Sequence, residues 1–283
     1  MRLLRGKTAL TSFLYPSIIV PIRDRLCLLS LYYGGCMSEV IPSRVLNQLY
    51  IFLDVGFLIF LGALLLFRKR RVAFGVGILA GILYFIVDYG IFYRLLGTRT
   101  VTGAPTGLFL FWLSMSYGFT NFVWIWLWLD RDKHLFEWSL LIIAGWVTVA
   151  LLSQNFGAPF GEIAISRGTN SYHGIMALLM FAGYAIVCIY NMADKGKVPI
   201  LWLLIIGILV QFSWEAVLLV TGIRATGWQP LVVNSLIETN LGLPYMYFIH
   251  RAVSKRFSPA GERLAAAISG EEQTVPVPAR DME

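Results

Sequence analysis

The stretch GILVQFSWEAVLLVTGIRATG, residues 207–227, is apolar enough to form a membrane helix, yet it carries a glutamate, Glu215. A helix of about 20 apolar residues crosses the roughly 30 Å hydrocarbon core of a bilayer. The rest of the chain has a similar composition, since 58% of its 283 residues are hydrophobic and only 14% are charged. Its mean hydropathy is +0.71. The sequence therefore predicts a polytopic membrane protein rather than a soluble domain.

Apolar runs of this length recur along the chain and predict an all-α fold of seven transmembrane helices. They lie at residues 46–67, 73–93, 106–129, 138–154, 172–191, 198–220 and 229–250. Basic residues cluster in the connections after the first, third and fifth runs and at the start of the tail. From Met37 on, the opposite connections hold only Arg44, Arg94, Arg99, Arg167 and Arg224. The positive-inside bias thus predicts an outside N-terminus and a cytoplasmic C-terminus, in the plasma membrane of a bacterium.

The two ends of the chain differ from this pattern. Residues 1–36 contain apolar runs too short to span a membrane. Their basic residues would add positive charge to the outer side of the membrane, against the positive-inside bias. A signal-like leader and a translation start at Met37 both explain them, and we favour the second. Residues 258–283 are polar and predict a disordered cytoplasmic tail. The predicted membrane domain therefore covers residues 37–257.

An internal repeat links the opening stretch to GILYFIVDYGIFYRLLGTRTVTG, residues 81–103. Both segments share their start, an acid near the outer end, and an exit containing Gly, Arg, Thr and Gly. This similarity predicts a parallel internal repeat of three helices, a linking helix and three helices. The same layout occurs in SWEET sugar transporters, so it does not separate a transporter from an enzyme. Gly77-Ile-Leu-Ala-Gly81 also predicts a close helix contact.

Four carboxyl groups lie inside predicted spans: Asp54, Asp88, Glu215 and Glu238. Each would oppose insertion by about 2.5–3.5 kcal/mol at the centre of a helix, so we expect a functional reason for them. No lysine or arginine lies in the middle of these spans. The sequence therefore predicts buried carboxyl groups without cationic partners, some of them protonated. That is the state of a general acid, or of a proton-coupled carrier.

Several classes of protein are excluded or disfavoured by missing residues. The last predicted helix has no lysine, so retinal cannot be bound as in a rhodopsin. The three histidines and three cysteines lack the spacing of metal ligands, and no metal site is predicted. The positive charge is explained by topology, so no nucleic acid partner is expected.

Two short motifs carry a resemblance to a known family. Asp88 lies in FIVDYGIFY in the second helix, and Glu238 is followed at fixed spacing by Gly242 and Tyr245 in the last. In these motifs the chain resembles the seven-helix integral-membrane terpene cyclases of fungal meroterpenoid and indole-diterpene pathways. It departs from them in having aspartate for glutamate at the second-helix position. A Trp-Glu pair stands instead at Trp214-Glu215 in the sixth helix.

The resemblance implies acid-initiated cyclisation of a lipophilic prenyl or terpenoid substrate dissolved in the bilayer. Asp88 or Glu238 would donate the proton to an epoxide or alkene, and the other of the two would orient the donor or take the terminal proton. Glu215 would be a further acid of the same catalytic site. Aromatic faces would stabilise carbocations, and no metal or organic cofactor is required by this chemistry. The candidate substrate-binding residues are Tyr84, Tyr89, Trp214, Asn234 and Tyr245.

Two other interpretations stay open. The same acids could carry protons in a small-solute transporter with alternating access. They could also be interhelical hydrogen bonds in a non-catalytic membrane partner protein. The sequence does not determine the substrate or the oligomeric state.

Overall fold

The computed structural model describes residues 43–168, 172–193, 198–224 and 227–257. The predicted leader at residues 1–36 and the predicted tail at residues 258–283 lie outside these ranges. Within them the chain is mostly helical, with one small antiparallel sheet.

The helices follow the predicted spans closely. In chain order they are α1 Gln48–Phe67, α2 Arg71–Phe85 with a π-helical continuation Ile86–Leu95, α3 Thr106–Leu129, α4 Leu135–Phe156, α5 His173–Met192, α6 Ile200–Val220, α7 Trp228–Ile237 and α8 Leu243–Arg256. In the described part of the chain, six helices are long and apolar enough to cross a membrane: α1, α2 with its continuation, and α3 to α6. The first six predicted spans are therefore confirmed as helices, and they indicate an integral membrane protein.

The predicted seventh span is divided between two shorter helices. Residues 238–242 form a turn between α7 and α8, and Pro244 lies in the first turn of α8. Proline has no backbone N–H, so it cannot continue the hydrogen-bond ladder of a preceding helix. Neither α7 nor α8 alone is long enough to cross the hydrocarbon core. The seventh span and the internal repeat therefore stay predictions.

A three-stranded sheet lies at one end of the helices, here called the sheet end, and is formed by the segment before α1 and by the connections after α2 and α4. Its strands are β1 Ser43–Asn47, β2 Arg99–Thr102 and β3 Glu162–Arg167, in the order β1-β3-β2. Both pairings are antiparallel. These strands are not predicted from the sequence, because segments of four to six residues beside long apolar runs give a weak signal.

The core is built around α3. In the 18-residue apolar stretch of this helix, 72% of the residues are buried, against 28% in the corresponding stretches of α1, of α2 with its continuation, and of α4. The backbones of α2 and α3 approach closely, since a Cβ atom on Gly118 would lie 2.6 Å from the Cα atom of Gly81. Gly77 faces α3 as well, where an added Cβ atom would meet the side chain of Val123 at 2.6 Å. The close contact predicted for Gly77 and Gly81 is thus confirmed.

Large apolar side chains stay exposed on the peripheral helices. Phe52 and Phe60 on α1, and Leu178 and Phe181 on α5, are each more than half exposed. Many large apolar side chains exposed on the same helices are unfavourable in water and favourable against lipid tails. The outer faces of these helices are therefore suited to contact with lipid.

Candidate functional site

The sheet places three arginines on one face. Arg44 pairs across the sheet with Ile165, and Arg99 pairs with Arg167. Cross-strand partners and alternate residues of a strand share a face, so these three arginines point the same way as the buried Ile163 and Ile165. A fourth arginine, Arg224, follows α6, and its backbone forms an isolated bridge with Arg44. The arginines are therefore directed from the sheet end toward the helices.

Two of these arginines contact Asp88. It lies in the first turn of the π-helical continuation of α2, and it is only 5% exposed. Arg99 Nε donates a hydrogen bond to Asp88 Oδ1 at 2.7 Å, and Arg167 Nη2 lies 3.6 Å from the same oxygen. A π-helical turn is rare and is often found at functional sites.

The other two arginines contact Glu215. Arg224 Nη1 forms an ion pair with Glu215 Oε2, and Arg44 Nη2 lies 3.6 Å from Oε1. Glu215 is 1% exposed, and its Oε1 atom also accepts hydrogen bonds from Asn234 Nδ2 at 3.2 Å and Gln211 Nε2 at 3.3 Å. The two acids and their arginines are here called the sheet-end cluster: Arg44, Asp88, Arg99, Arg167, Glu215 and Arg224.

The prediction that the buried acids lack cationic partners is wrong for Asp88 and Glu215. Their partners come from strands and from the end of α6, so an inspection of the spans alone could not find them. Of the five basic residues counted as outer-side charges, four turn inward to these acids, and Arg94 is exposed. Each of these acids therefore lies within ion-pair distance of two guanidinium groups, which is not the environment without cations that the sequence predicted.

Glu238 lies at the turn between α7 and α8 and has a different environment. It is half-buried, and Oε2 accepts a hydrogen bond from Gln211 Nε2 at 2.9 Å. Within the described ranges, it forms no ion pair with an arginine or lysine. Glu238 is thus bound by an amide group, whereas Asp88 and Glu215 are bound by guanidinium groups.

The side-chain amide of Gln211 connects Glu215 and Glu238. Its Nε2 atom donates to both carboxylates, while its Oε1 atom accepts from Tyr117 Oη at 2.5 Å and from Thr239 Oγ1 at 2.8 Å. Both amide hydrogens and both lone pairs are used, so rotating the amide by 180° would place its oxygen against the two carboxylates. The orientation of Gln211, which is completely buried, is therefore fixed.

Aromatic rings lie next to this amide. Tyr84 contacts Tyr117 edge to face with 5.1 Å between ring centroids, and Tyr117 contacts Trp214 at 5.9 Å. Trp214 is buried and also packs on Trp146 at 5.0 Å. Two of the predicted substrate-binding residues, Tyr84 and Trp214, are thus brought together beside Gln211 through Tyr117.

Other predicted site residues have separate contacts. Tyr89 stacks between Phe85 and Tyr93, and its hydroxyl accepts a hydrogen bond from Arg94. Tyr245 is 40% exposed and donates to a backbone carbonyl of α5. Asn234 donates to Glu215, so it supports a carboxylate of the cluster.

Asp54, the remaining buried acid, is bound apart from these groups. Its Oδ2 atom accepts a hydrogen bond from Trp112 Nε1 at 2.9 Å, and the side chain is 1% exposed. This contact between α1 and α3 is the interhelical hydrogen bond that the non-catalytic interpretation of the acids describes.

The arginines of the sheet-end cluster repel one another. Burial, followed by the charge of Arg167, lowers the pKa of Arg44 and of Arg99 to about 10 each. Burial and the charge of Arg44 lower the pKa of Arg224 to about 9. For Arg167, burial opposes ionisation, but Asp88 and Glu238 outweigh it and raise the pKa. All four side chains carry a positive charge at neutral pH.

The inward arginines were missed as site residues because their charges were assigned to topology alone. The sequence signal was weak, since only EIAISR places large apolar residues at alternate positions, and SRVLN and RTVT do not alternate regularly. The pairing of strands distant in sequence is what places the arginines together.

No protein-family model, curated protein or solved structure matches the chain. The fold and the site define its class as a helical membrane protein with a buried cluster of arginines and carboxylates beneath a small sheet. The resemblance to terpene cyclases stays a prediction.

Proposed function

We propose that the chain is a membrane-embedded acid catalyst that cyclises a lipophilic prenyl or terpenoid substrate, with Glu238 as the proton donor. The observation that carries the proposal is the environment of Glu238, which is bound by Gln211 at 2.9 Å and by no arginine or lysine of the described residues. Donating a proton requires a carboxyl group that can be neutral. Asp88 and Glu215 are less suited to this role because each lies within ion-pair distance of two arginines, whereas Glu238 interacts with the same arginines only from a longer distance.

The proposed reaction returns the catalyst to its starting state. Glu238 protonates an epoxide or alkene of the substrate, and the resulting carbocation closes a ring on another double bond of the same molecule. The cyclic cation then loses a proton to the Glu238 carboxylate, so the product is an isomer of the substrate. Gln211 holds the carboxylate between the two steps by its N–H group. The faces of Tyr84 and Tyr117 can stabilise the cation.

The test is product analysis in host membranes supplied with a prenylated epoxide. Wild type is expected to form a cyclised product of unchanged mass and new retention time, and Glu238→Gln is expected to abolish it at matched expression. Glu162→Gln is the matched control, because Glu162 is an exposed residue of β3. A product that persists in Glu238→Gln would overturn the assignment of the proton donor.

A proton-coupled transporter is the second candidate, and the turn at residues 238–242 favours it. Helices interrupted at a polar site inside the membrane are typical of secondary transporters, where they bind substrate and coupling ions. In this case the predicted parallel repeat of three, one and three helices would move around Glu238. Uptake of a small solute driven by a pH gradient into vesicles, with no cyclised product from any prenyl substrate, would support the transporter.

We further propose that α7 and α8 together form the seventh span, with the sheet end outside the plasma membrane of a bacterium and the C-terminus in the cytoplasm. Lys69→Cys and Glu162→Cys test this orientation. Each is made in a cysteine-free background in which Cys27, Cys36 and Cys188 are replaced by serine. A membrane-impermeant maleimide is expected to label Glu162→Cys on intact cells and Lys69→Cys only after permeabilisation. The reverse pattern would contradict the orientation.

A further inference from the structure

The sheet-end cluster holds more guanidinium groups than carboxylates. Asp88 is shared by Arg99 and Arg167, and Glu215 is shared by Arg44 and Arg224. Four positive charges therefore meet two negative charges within ion-pair distance. Glu238, which accepts a hydrogen bond from Gln211, forms no ion pair with these arginines, but its charge favours the ionised form of all four from a longer distance. Four guanidinium groups therefore still exceed the three nearby carboxyl groups. An excess of buried positive charge is costly unless an anion compensates it.

The same arginines carry buried N–H groups without a hydrogen-bond partner. These donors are Arg44 Nε, Arg99 Nη2, Arg167 Nε and Arg224 Nε. Arg44, Arg99 and Arg224 are only 4%, 3% and 6% exposed, so bulk water does not solvate their donors freely. Buried charged donors in folded proteins nearly always have acceptors. The unused donors therefore indicate a place for an acceptor that the chain does not itself supply.

We propose that the four arginines of the sheet-end cluster bind a dianionic phosphate group, either a phosphomonoester or a diphosphate. Such a group supplies negative charge and several oxygen acceptors at once, whereas a single carboxylate has two oxygens for four unused arginine donors. Phosphate oxygens also accept hydrogen bonds from several directions, which suits donors from two strands and a helix end. The site is distinct from the proposed proton donor, so it goes beyond the proposed function.

Arg167 marks the side from which the group enters. Its side chain is 21% exposed, whereas those of Arg44, Arg99 and Arg224 are at most 5% exposed. Because the cluster lies at the sheet end of apolar helices, two sources of phosphate are compatible with it. One is the headgroup of a lipid such as phosphatidic acid, and the other is a water-soluble phosphate or diphosphate.

The test is equilibrium binding of radiolabelled inorganic pyrophosphate to the full chain in phosphatidylcholine nanodiscs. Wild type is expected to bind saturably, and Arg99→Gln is expected to weaken binding by about tenfold or more, since one charged hydrogen bond is lost. Arg94→Gln is the matched control, because Arg94 is exposed at the same end and is bonded to Tyr89 rather than to a carboxylate. Its affinity is expected to equal that of wild type.

A second variant keeps the proposal testable if Arg99→Gln does not fold. Arg167→Gln removes the most exposed side chain of the cluster, and the same loss of affinity is expected. Three results would each overturn the proposal. Wild type could show no saturable binding, wild type and Arg167→Gln could bind pyrophosphate with equal affinity, or acetate could compete with pyrophosphate as strongly as phosphate does.

Nanodiscs containing phosphatidic acid distinguish the two sources. If the headgroup occupies the cluster, these nanodiscs raise the melting temperature of wild type but not of Arg167→Gln, and they abolish binding of pyrophosphate. If a soluble phosphate is the ligand, pyrophosphate binds equally in both kinds of nanodisc. Either result supports the phosphate site, and neither depends on whether Glu238 catalyses a cyclisation.

Discussion

Glu215→Gln removes the negative charge between two buried arginines while preserving the shape of the side chain. Arg44 and Arg224 both lose their carboxylate partner, and both are at least nine-tenths buried. The glutamine oxygen can still accept the hydrogen bond from Asn234, which limits the change to the ion pairs. The variant therefore measures the cost of leaving guanidinium groups buried without an anion.

The expected loss is about 3–5 kcal/mol of unfolding free energy, the range for removing one partner of a buried ion pair. Glu215 contacts two arginines, but the stabilisation from the two ion pairs is not additive because they share one carboxylate. For a chain of this size, the melting temperature changes by roughly 2–4 °C per kcal/mol. Glu215→Gln is thus expected to melt at least roughly 6 °C below wild type.

Thermal unfolding of the purified chain in detergent micelles measures the effect. Glu137→Gln is the matched control, because the Glu137 side chain is 66% exposed, and a change within about 0.5 kcal/mol is expected for it. The double variant Glu215→Gln with Arg224→Met should be more stable than Glu215→Gln, since it removes one orphaned charge. A loss for Glu215→Gln no larger than that for Glu137→Gln would refute the buried ion pairs.

Two further predictions concern the packing of α3. Gly118→Ala should lower the unfolding free energy by about 1–3 kcal/mol, because its Cβ atom would lie 2.6 Å from the Cα atom of Gly81. Gly75→Ala is the control and should be neutral or stabilising, because an added Cβ atom there has nothing within 4 Å. Equal effects of the two variants on the melting temperature would contradict the helix contact. Trp112→Phe should cost about 1–3 kcal/mol because it leaves Asp54 Oδ2 without its donor at 2.9 Å. A double-mutant cycle with Asp54→Leu should show coupling, and additive losses would argue against this bond.

Local patterns in the sequence were enough to predict most of the fold. The apolar runs are long, and each satisfies its backbone hydrogen bonds within itself, so six spans could be located within a few residues. The close approach of α2 and α3 also followed from local spacing, since Gly77 and Gly81 lie one turn apart on the same face. The break in the last run was harder to predict, although Pro244 marks it.

The candidate site depended on residues that are far apart in the chain. The sequence alone determined that buried acids exist, because their positions inside apolar runs can be counted. It could not determine that Asp88 and Glu215 are ion-paired while Glu238 is held by Gln211. Those differences arise when β2 and β3, more than 50 residues apart, pair and direct arginines onto the helices. Only the tertiary structure decides such contacts, because strand pairing brings together charges whose separation in sequence carries no periodic signal.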